Sequence, residues 1–226
     1  MIPLRDTIPS HSVPFVTWLM IAGSACGFWL ELSAGADVDR ILHQFGLIPA
    51  RYFALRDRLG SGDPLLYLPF LTSAFLHGGW MHFLGNMLYL WIFGDNVEDR
   101  LGHLGYAAFY LAGALFAGFA QALTNPGSTI PMVGASGAIA AVMGAYFVLF
   151  PRARVMSLVL WGFWVDVISI PAVTYLAIWF AMQLLSGTFA LAAAASGGVA
   201  WWAHAGGFAF GALVALGVRA RGRAAA

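Results

Sequence analysis

Residues 200–218 read AWWAHAGGFAFGALVALGV, a stretch without a charged residue whose one strongly polar side chain is His204. As a helix rising 1.5 Å per residue it would be about 28 Å long, close to the roughly 30 Å hydrocarbon core of a bilayer. This run therefore predicts a membrane-crossing helix, and the rest of the chain is read outward from it.

Five further apolar runs precede it, at Val13–Leu30, Trp80–Val97, Tyr106–Leu123, Gly134–Phe150 and Ile170–Ser186. Hydropathy thus predicts an all-α, polytopic membrane protein with a six-transmembrane-helix bundle. Composition agrees: 9% charged and 61% hydrophobic residues contrast with about 25% and 45–50% in soluble domains. So few charges cannot cover a globular surface. The segment 31–65, with eight charged residues from Asp37 to Asp63, is expected as an outer loop with some helix. Met156–Asp166 is expected at the membrane interface, with Pro171 opening the fifth span. The whole of 1–226 reads as one domain, with a core at about 65–218 and a basic cytoplasmic tail at 219–226.

Net charge is +1 and no basic stripe is present, so nucleic acid is excluded as a partner. The single cysteine, Cys26, rules out an intrachain disulfide or a cysteine-based metal site. The first apolar run follows only one basic residue, Arg5, and is expected as a retained span rather than a signal peptide. All eleven basic residues are arginine, which points to GC-rich bacterial coding. Placing the N-terminus inside puts Arg5, Arg100, Arg152, Arg154, Arg219, Arg221 and Arg223 on the inner side, against four arginines outside. The positive-inside rule then favours cytoplasmic N- and C-termini in a bacterial plasma membrane.

With that orientation, spans two, four and six all run inward, and their first turns share one depth. Span two opens with His82 and reaches Asn86, span four opens with Ser136 and span six with His204, and His82, Ser136 and His204 each sit roughly 5 to 10 Å below the outer boundary. Taken singly, a serine between glycines is usually a packing residue, and a histidine near a span's end usually links helices. Polar groups inside a membrane are costly and mark a polar interior or cavity, so their coincidence at one level points to chemistry. Serine needs a base to take its proton, and imidazole suits that role near neutrality. Spans four and six hold no carboxylate for a third member, so Ser136 as nucleophile and His204 as general base form a dyad. His82 and Asn86, four residues apart on one helical face, are expected to stabilise an oxyanion together with the Ser136 backbone N–H. Gly134, Gly137 and Gly144 on span four, with Gly207 and Gly211 on span six, would let these helices approach closely.

These motifs resemble those of the rhomboid intramembrane serine proteases. The GASG at Gly134–Gly137 is similar to the family's GxSG, and Ala203, His204, Gly207 and Gly211 fit its AHxxGxxxG. His77, His82 and Asn86 fit its HxxxxHxxxN, so His77 joins the glycines as expected support of the site. The resemblance implies a six-helix core in the lipid bilayer, a water-accessible cavity open outward, no metal or cofactor, and water for deacylation. Its implied substrates are transmembrane segments of other proteins, cut near small residues. Two positions depart from the family pattern: Tyr67–Phe70 stand where a Trp-Arg pair is common, and Ala140 replaces an aromatic that packs on the base in some members. The loop 187–199, rich in Gly, Ala and Ser, is a candidate cap over the site. A catalytically dead relative that only binds membrane segments is the runner-up, which the presence of both Ser136 and His204 argues against. A small transporter would instead place ionisable groups near mid-membrane in two matching halves.

Overall fold

A computed structural model describes residues 1–162, 164–192 and 199–224. Its long helices are α1 (Phe15–Ala34), α5 (Trp80–Leu101), α6 (His103–Thr124), α7 (Ser136–Leu149), α8 (Ala172–Ala192) and α9 (Trp201–Ala224), and they coincide with the six apolar runs. Between α1 and α5 lie α2 (Val38–Phe45), α3 (Pro49–Leu59) and α4 (Leu68–Thr72). The chain is predominantly helical, as its hydropathy predicts, and four segments are long and apolar enough to cross a membrane: Phe15–Phe45, His103–Thr124, Ala172–Leu191 and Trp201–Arg221.

The two long helices outside that set have identifiable reasons. α5 gathers Asp95, Glu98, Asp99 and Arg100 in its last two turns, and two of them, Glu98 and Asp99, hold the start of α1. The Glu98 carboxylate accepts the backbone N–H groups of Val16 and Thr17 at 2.8 Å, satisfying free amides at the start of α1. Asp99 accepts the Ser12 N–H at 2.9 Å and thereby holds the chain entering α1. α7 has only 14 residues, about 21 Å of helix, and every residue from Gly137 to Tyr146 is buried. It is a buried central post packed against α5, α6, α8 and α9.

Close packing of α7 against α9 follows from glycine. A Cβ at Gly207 would overlap the carbonyl oxygen of Gly137, and one at Gly211 would overlap that of Ala141. One at Gly144 would strike the Phe208 carbonyl, and one at Gly137 would lie 2.6 Å from the Ala117 methyl on α6. Apolar side chains have no hydrophobic gain from leaving lipid, so close backbone contact of this kind is what associates membrane helices.

Several boundaries differ from the sequence-based expectation. The helical bundle carries a three-stranded antiparallel sheet in the order β1 (Ile2–Asp6), β2 (Arg154–Trp161), β3 (Trp164–Pro171). Met156–Asp166, expected as an interfacial segment, is most of this hairpin, with Trp161 paired to Trp164 across the turn and Ile2 paired to Leu158. Hydropathy cannot separate a strand from a helix here, but Val155, Val159, Val165, Val167, Ile168 and Ile170 carry the β-branched signal. Pro171 ends β3, and α8 begins at Ala172. α1 continues to Ala34, so Glu31 is a buried helix residue instead of the start of the outer loop. Of the expected loop 187–199, the part to Ala192 is helix, and 193–198 lie outside the described residues. α9 runs on through the basic segment, where Arg219 donates to the Val148 carbonyl at the end of α7.

The segment between α1 and α5 folds back onto the bundle. Leu47, Tyr52, Leu66 and Phe70 form a second apolar cluster, against which Phe119 of α6 packs. Tyr67 and Phe70 belong to it, and Phe70 meets Phe119 at 4.5 Å between ring centroids. Leu47 and Met132 exchange backbone hydrogen bonds of 3.1 and 2.8 Å, tying this segment to the chain that enters α7.

Candidate active site

The site is assembled where α5, α7 and α9 begin, and local backbone geometry puts Ser136 there. Gly134 has φ of 122°, a region that disfavours side chains, and a Cβ on it would lie 2.6 Å from His82 Nε2 and 3.5 Å from Asn86 Nδ2. Its N–H donates to the Ser73 carbonyl at 2.8 Å, fixing the strap that leads into α7. Helix then starts at Ser136 itself. The first amides of α7 lack intrahelical partners, which leaves donors free beside the nucleophile position.

His204, in the first turn of α9, lies opposite. Its Nε2 is 2.7 Å from Ser136 Oγ, and the residue is only 9% exposed. The glycine contacts between α7 and α9 set this separation. Ala140, one turn into α7, is fully buried and lies beside Gly207. It leaves the flank of His204 to Trp179 of α8, whose ring centroid is 5.8 Å away, and to Trp201, edge-on at 6.3 Å.

Sequence reasoning missed Gln183. Its Oε1 lies 2.7 Å from His204 Nδ1, so the imidazole has hydrogen-bond partners on both ring nitrogens. The available signal was a glutamine in an otherwise apolar helix, one turn after Trp179.

His82 and Asn86 share one face of α5 and point toward Gly134. The Gly78 N–H donates to His82 Nδ1 at 3.3 Å. An Nδ1 that accepts leaves the proton on Nε2, the nitrogen nearest the entrance to α7. Asn86 is 8% exposed, and its Nδ2 has no hydrogen-bond partner among the described residues. A buried amide donor without a partner is costly, and this one borders the cavity described below. His77 sits beneath: its N–H donates to the buried Glu31 carboxylate at 2.8 Å, and its ring packs edge-on against His82 at 5.3 Å. Burial pushes the His77 imidazole down to about 4, which keeps it neutral.

These groups line a cavity of about 940 Å³ that contains His82, Asn86, Ser136 and His204 in its wall. Gln121, Asn125 and Ser128 supply polar atoms on its α6 side. The sheet and the C-terminal end of α7 lie at the opposite end of the bundle. The arrangement offers a hydroxyl against an imidazole acceptor, with N–H donors alongside, in a space that can hold an extended segment of backbone.

A family model described as a rhomboid domain matches residues 66–221, more than half of the chain. Rhomboid protein 1, mitochondrial, of Saccharomyces cerevisiae is 36% identical over 93 residues, covering 39% of this chain and 27% of that protein. The human presenilin-associated rhomboid-like protein, mitochondrial, is 31% identical over 106 residues, covering 46% and 27%. Rhomboid-like protein 11, chloroplastic, of Arabidopsis thaliana is 37% identical over 70 residues, covering 31% and 25%. The matched stretch spans about a quarter of each of these relatives.

Proposed function

The chain belongs to the rhomboid family, and from that premise we propose that it is an intramembrane serine endopeptidase acting on transmembrane segments of other membrane proteins. The observation that carries this reading is the 2.7 Å contact between Ser136 Oγ and His204 Nε2 in the cavity wall.

In the proposed reaction, Ser136 Oγ attacks a substrate carbonyl carbon while its proton passes to His204 Nε2. The carbonyl oxygen becomes an oxyanion, held by His82 Nε2–H, Asn86 Nδ2–H and the Ser136 backbone N–H. The imidazolium returns the proton to the departing amine as the C–N bond breaks, leaving an acyl-serine. Water, deprotonated by His204, then attacks the ester, and as the C–Oγ bond breaks the imidazolium returns that proton to Ser136 Oγ, releasing the second product as a carboxylic acid. Gly134, Gly137, Gly207 and Gly211 support the site by bringing α5, α7 and α9 to contact distance. His77 supports it by packing under His82. The chain acts as one membrane domain of six crossings, in which α5 counts as a span despite its charged last turns and the short α7 because its neighbours bury it. Arginine counting supports cytoplasmic termini in a bacterial plasma membrane, which puts the cavity on the outer side.

The test is cleavage of a single-span substrate reconstituted with the purified protein in liposomes. Wild type should cut within or beside the membrane segment, whereas Ser136→Ala and His204→Ala should bind it uncut. A substrate that survives intact with folded wild type, yet crosslinks to the cavity, would instead favour a binding relative without activity.

A further inference from the structure

Resting on the Ser136 and His204 reading above, we propose that Gln183 is a positioning residue that selects the tautomer and fixes the ring plane of His204. The helix α8 then contributes the residue that orients the base of the dyad. Gln183 is 6% exposed, and both ends of its amide are engaged. Nε2 donates to the Trp179 carbonyl one turn back at 3.2 Å, and Oε1 lies 2.7 Å from His204 Nδ1. Turning the amide over would set its oxygen against the Trp179 carbonyl oxygen, so the bond to Trp179 fixes which atom faces the histidine.

A carbonyl oxygen only accepts, which requires His204 Nδ1 to carry the proton. The neutral imidazole then has its lone pair on Nε2, pointed at the Ser136 hydroxyl. The other tautomer would present an N–H to Ser136 and could not take its proton. Gln183 thus does for a buried imidazole what a carboxylate does in the serine protease triad, without placing an anion in an apolar helix, where an uncompensated charge would be costly. Trp179 adds a side wall, its ring inclined 38° to the imidazole. The fully buried Ala140 leaves the neighbouring space on α7 free of an aromatic. Because Ser136 and His204 sit on α7 and α9 while Gln183 sits on α8, the base is competent only when α8 is in register. That register is also held by the Tyr89 to Tyr175 hydroxyl contact of 2.6 Å and by Phe180 stacked on Phe208 at 4.5 Å.

The experiment compares full-length wild type with Gln183→Leu and Gln183→Glu in liposomes. It reads the fluorophosphonate labelling rate at Ser136, kcat and KM for a single-span substrate, and melting temperature. Leucine fills the same space but cannot accept, leaving Nδ1–H unpaired. Labelling rate and kcat per folded molecule should fall about ten- to a hundredfold, with KM unchanged and the melting temperature lowered only by the unpaired N–H. Glutamate keeps an acceptor oxygen for Nδ1 but loses the donor to Trp179, so it should recover part of the rate lost in the leucine variant. A purely structural role would move melting temperature and folded yield while leaving the rate per folded molecule intact. Should the leucine variant fail to fold, Gln183→Met serves in its place. Wild-type rates in the leucine or methionine variant overturn the positioning role and leave the dyad standing. A wild type that shows no Ser136-dependent labelling overturns the protease reading and the positioning role together.

Discussion

Adding one methyl group at Gly207 tests how tightly helix packing sets the chemistry. The Cβ of Gly207→Ala would overlap the Gly137 carbonyl oxygen, approach the carbonyl carbon to 3.1 Å and lie 3.3 Å from the Ala140 methyl. Two of these neighbours are backbone of the buried helix α7 and cannot rotate away, so α9 must retreat by roughly an ångström for an ordinary contact. Gly207 is one turn beyond His204, so that retreat carries the imidazole with it. The Nε2 to Oγ separation of 2.7 Å would then pass about 3.5 Å, beyond hydrogen-bonding range. Misplacement of this size costs about a hundredfold in rate. The control is Gly217→Ala on the same helix, whose Cβ meets nothing within 4 Å; alanine there should raise helix stability by up to about 1 kcal/mol. Both variants are reconstituted in liposomes, and turnover is normalised to folded protein. Wild-type turnover in Gly207→Ala would refute the reasoning, because it would mean that α9 tolerates the displacement without moving its base.

Other expected outcomes bear on separate parts of the site. His82→Ala and Asn86→Ala should each lower turnover per folded molecule by up to about a hundredfold while leaving substrate affinity unchanged, and the double variant should show coupling; loss of melting temperature alone would assign either residue to the scaffold. Gly134→Ala should abolish turnover, because its φ of 122° disfavours a side chain and the added Cβ would stand 2.6 Å from His82 Nε2; steady-state cleavage at the wild-type rate would contradict that geometry. His77 has a folded value of about 4 against 6.5 when unfolded, so between those values the unfolded chain binds the extra proton and stability falls as pH is lowered. Replacing it in His77→Phe should make the melting temperature fall less steeply between pH 6.5 and 4, and an unchanged slope would show that the ring does not titrate on unfolding.

Much of this architecture was legible because lipid makes unusual demands on sequence. Apolar runs located all six long helices, Ser136, His204 and His82 stood out as polar groups at one depth, and Asn86 followed from its spacing of four from His82. The structure brings those four residues to one cavity wall. Gly207 and Gly211 were legible as a close-approach face, and both meet backbone of α7. Hydropathy failed where it does not distinguish conformations: the strands β2 and β3 are as apolar as a helix, and their β-branched content was the overlooked signal. Charge misled at Glu31, which reads as loop but is buried because its carboxylate accepts the His77 N–H. Gln183 was missed because one amide in an apolar helix ordinarily links helices, and only the fold reveals that its oxygen meets His204. The substitution at Ala140 did point that way, since an imidazole without an aromatic neighbour on α7 must be held from elsewhere, and α8 supplies Trp179.

The most direct measurement of the central claim is intact-protein mass spectrometry after exposure of the liposome-embedded protein to a fluorophosphonate, with the modified peptide sequenced. A single adduct on Ser136 in wild type, absent from Ser136→Ala and strongly slowed in His204→Ala, is the predicted result. An adduct on another residue, or equal modification of Ser136 when His204 is alanine, would contradict the pairing of these two side chains as nucleophile and base.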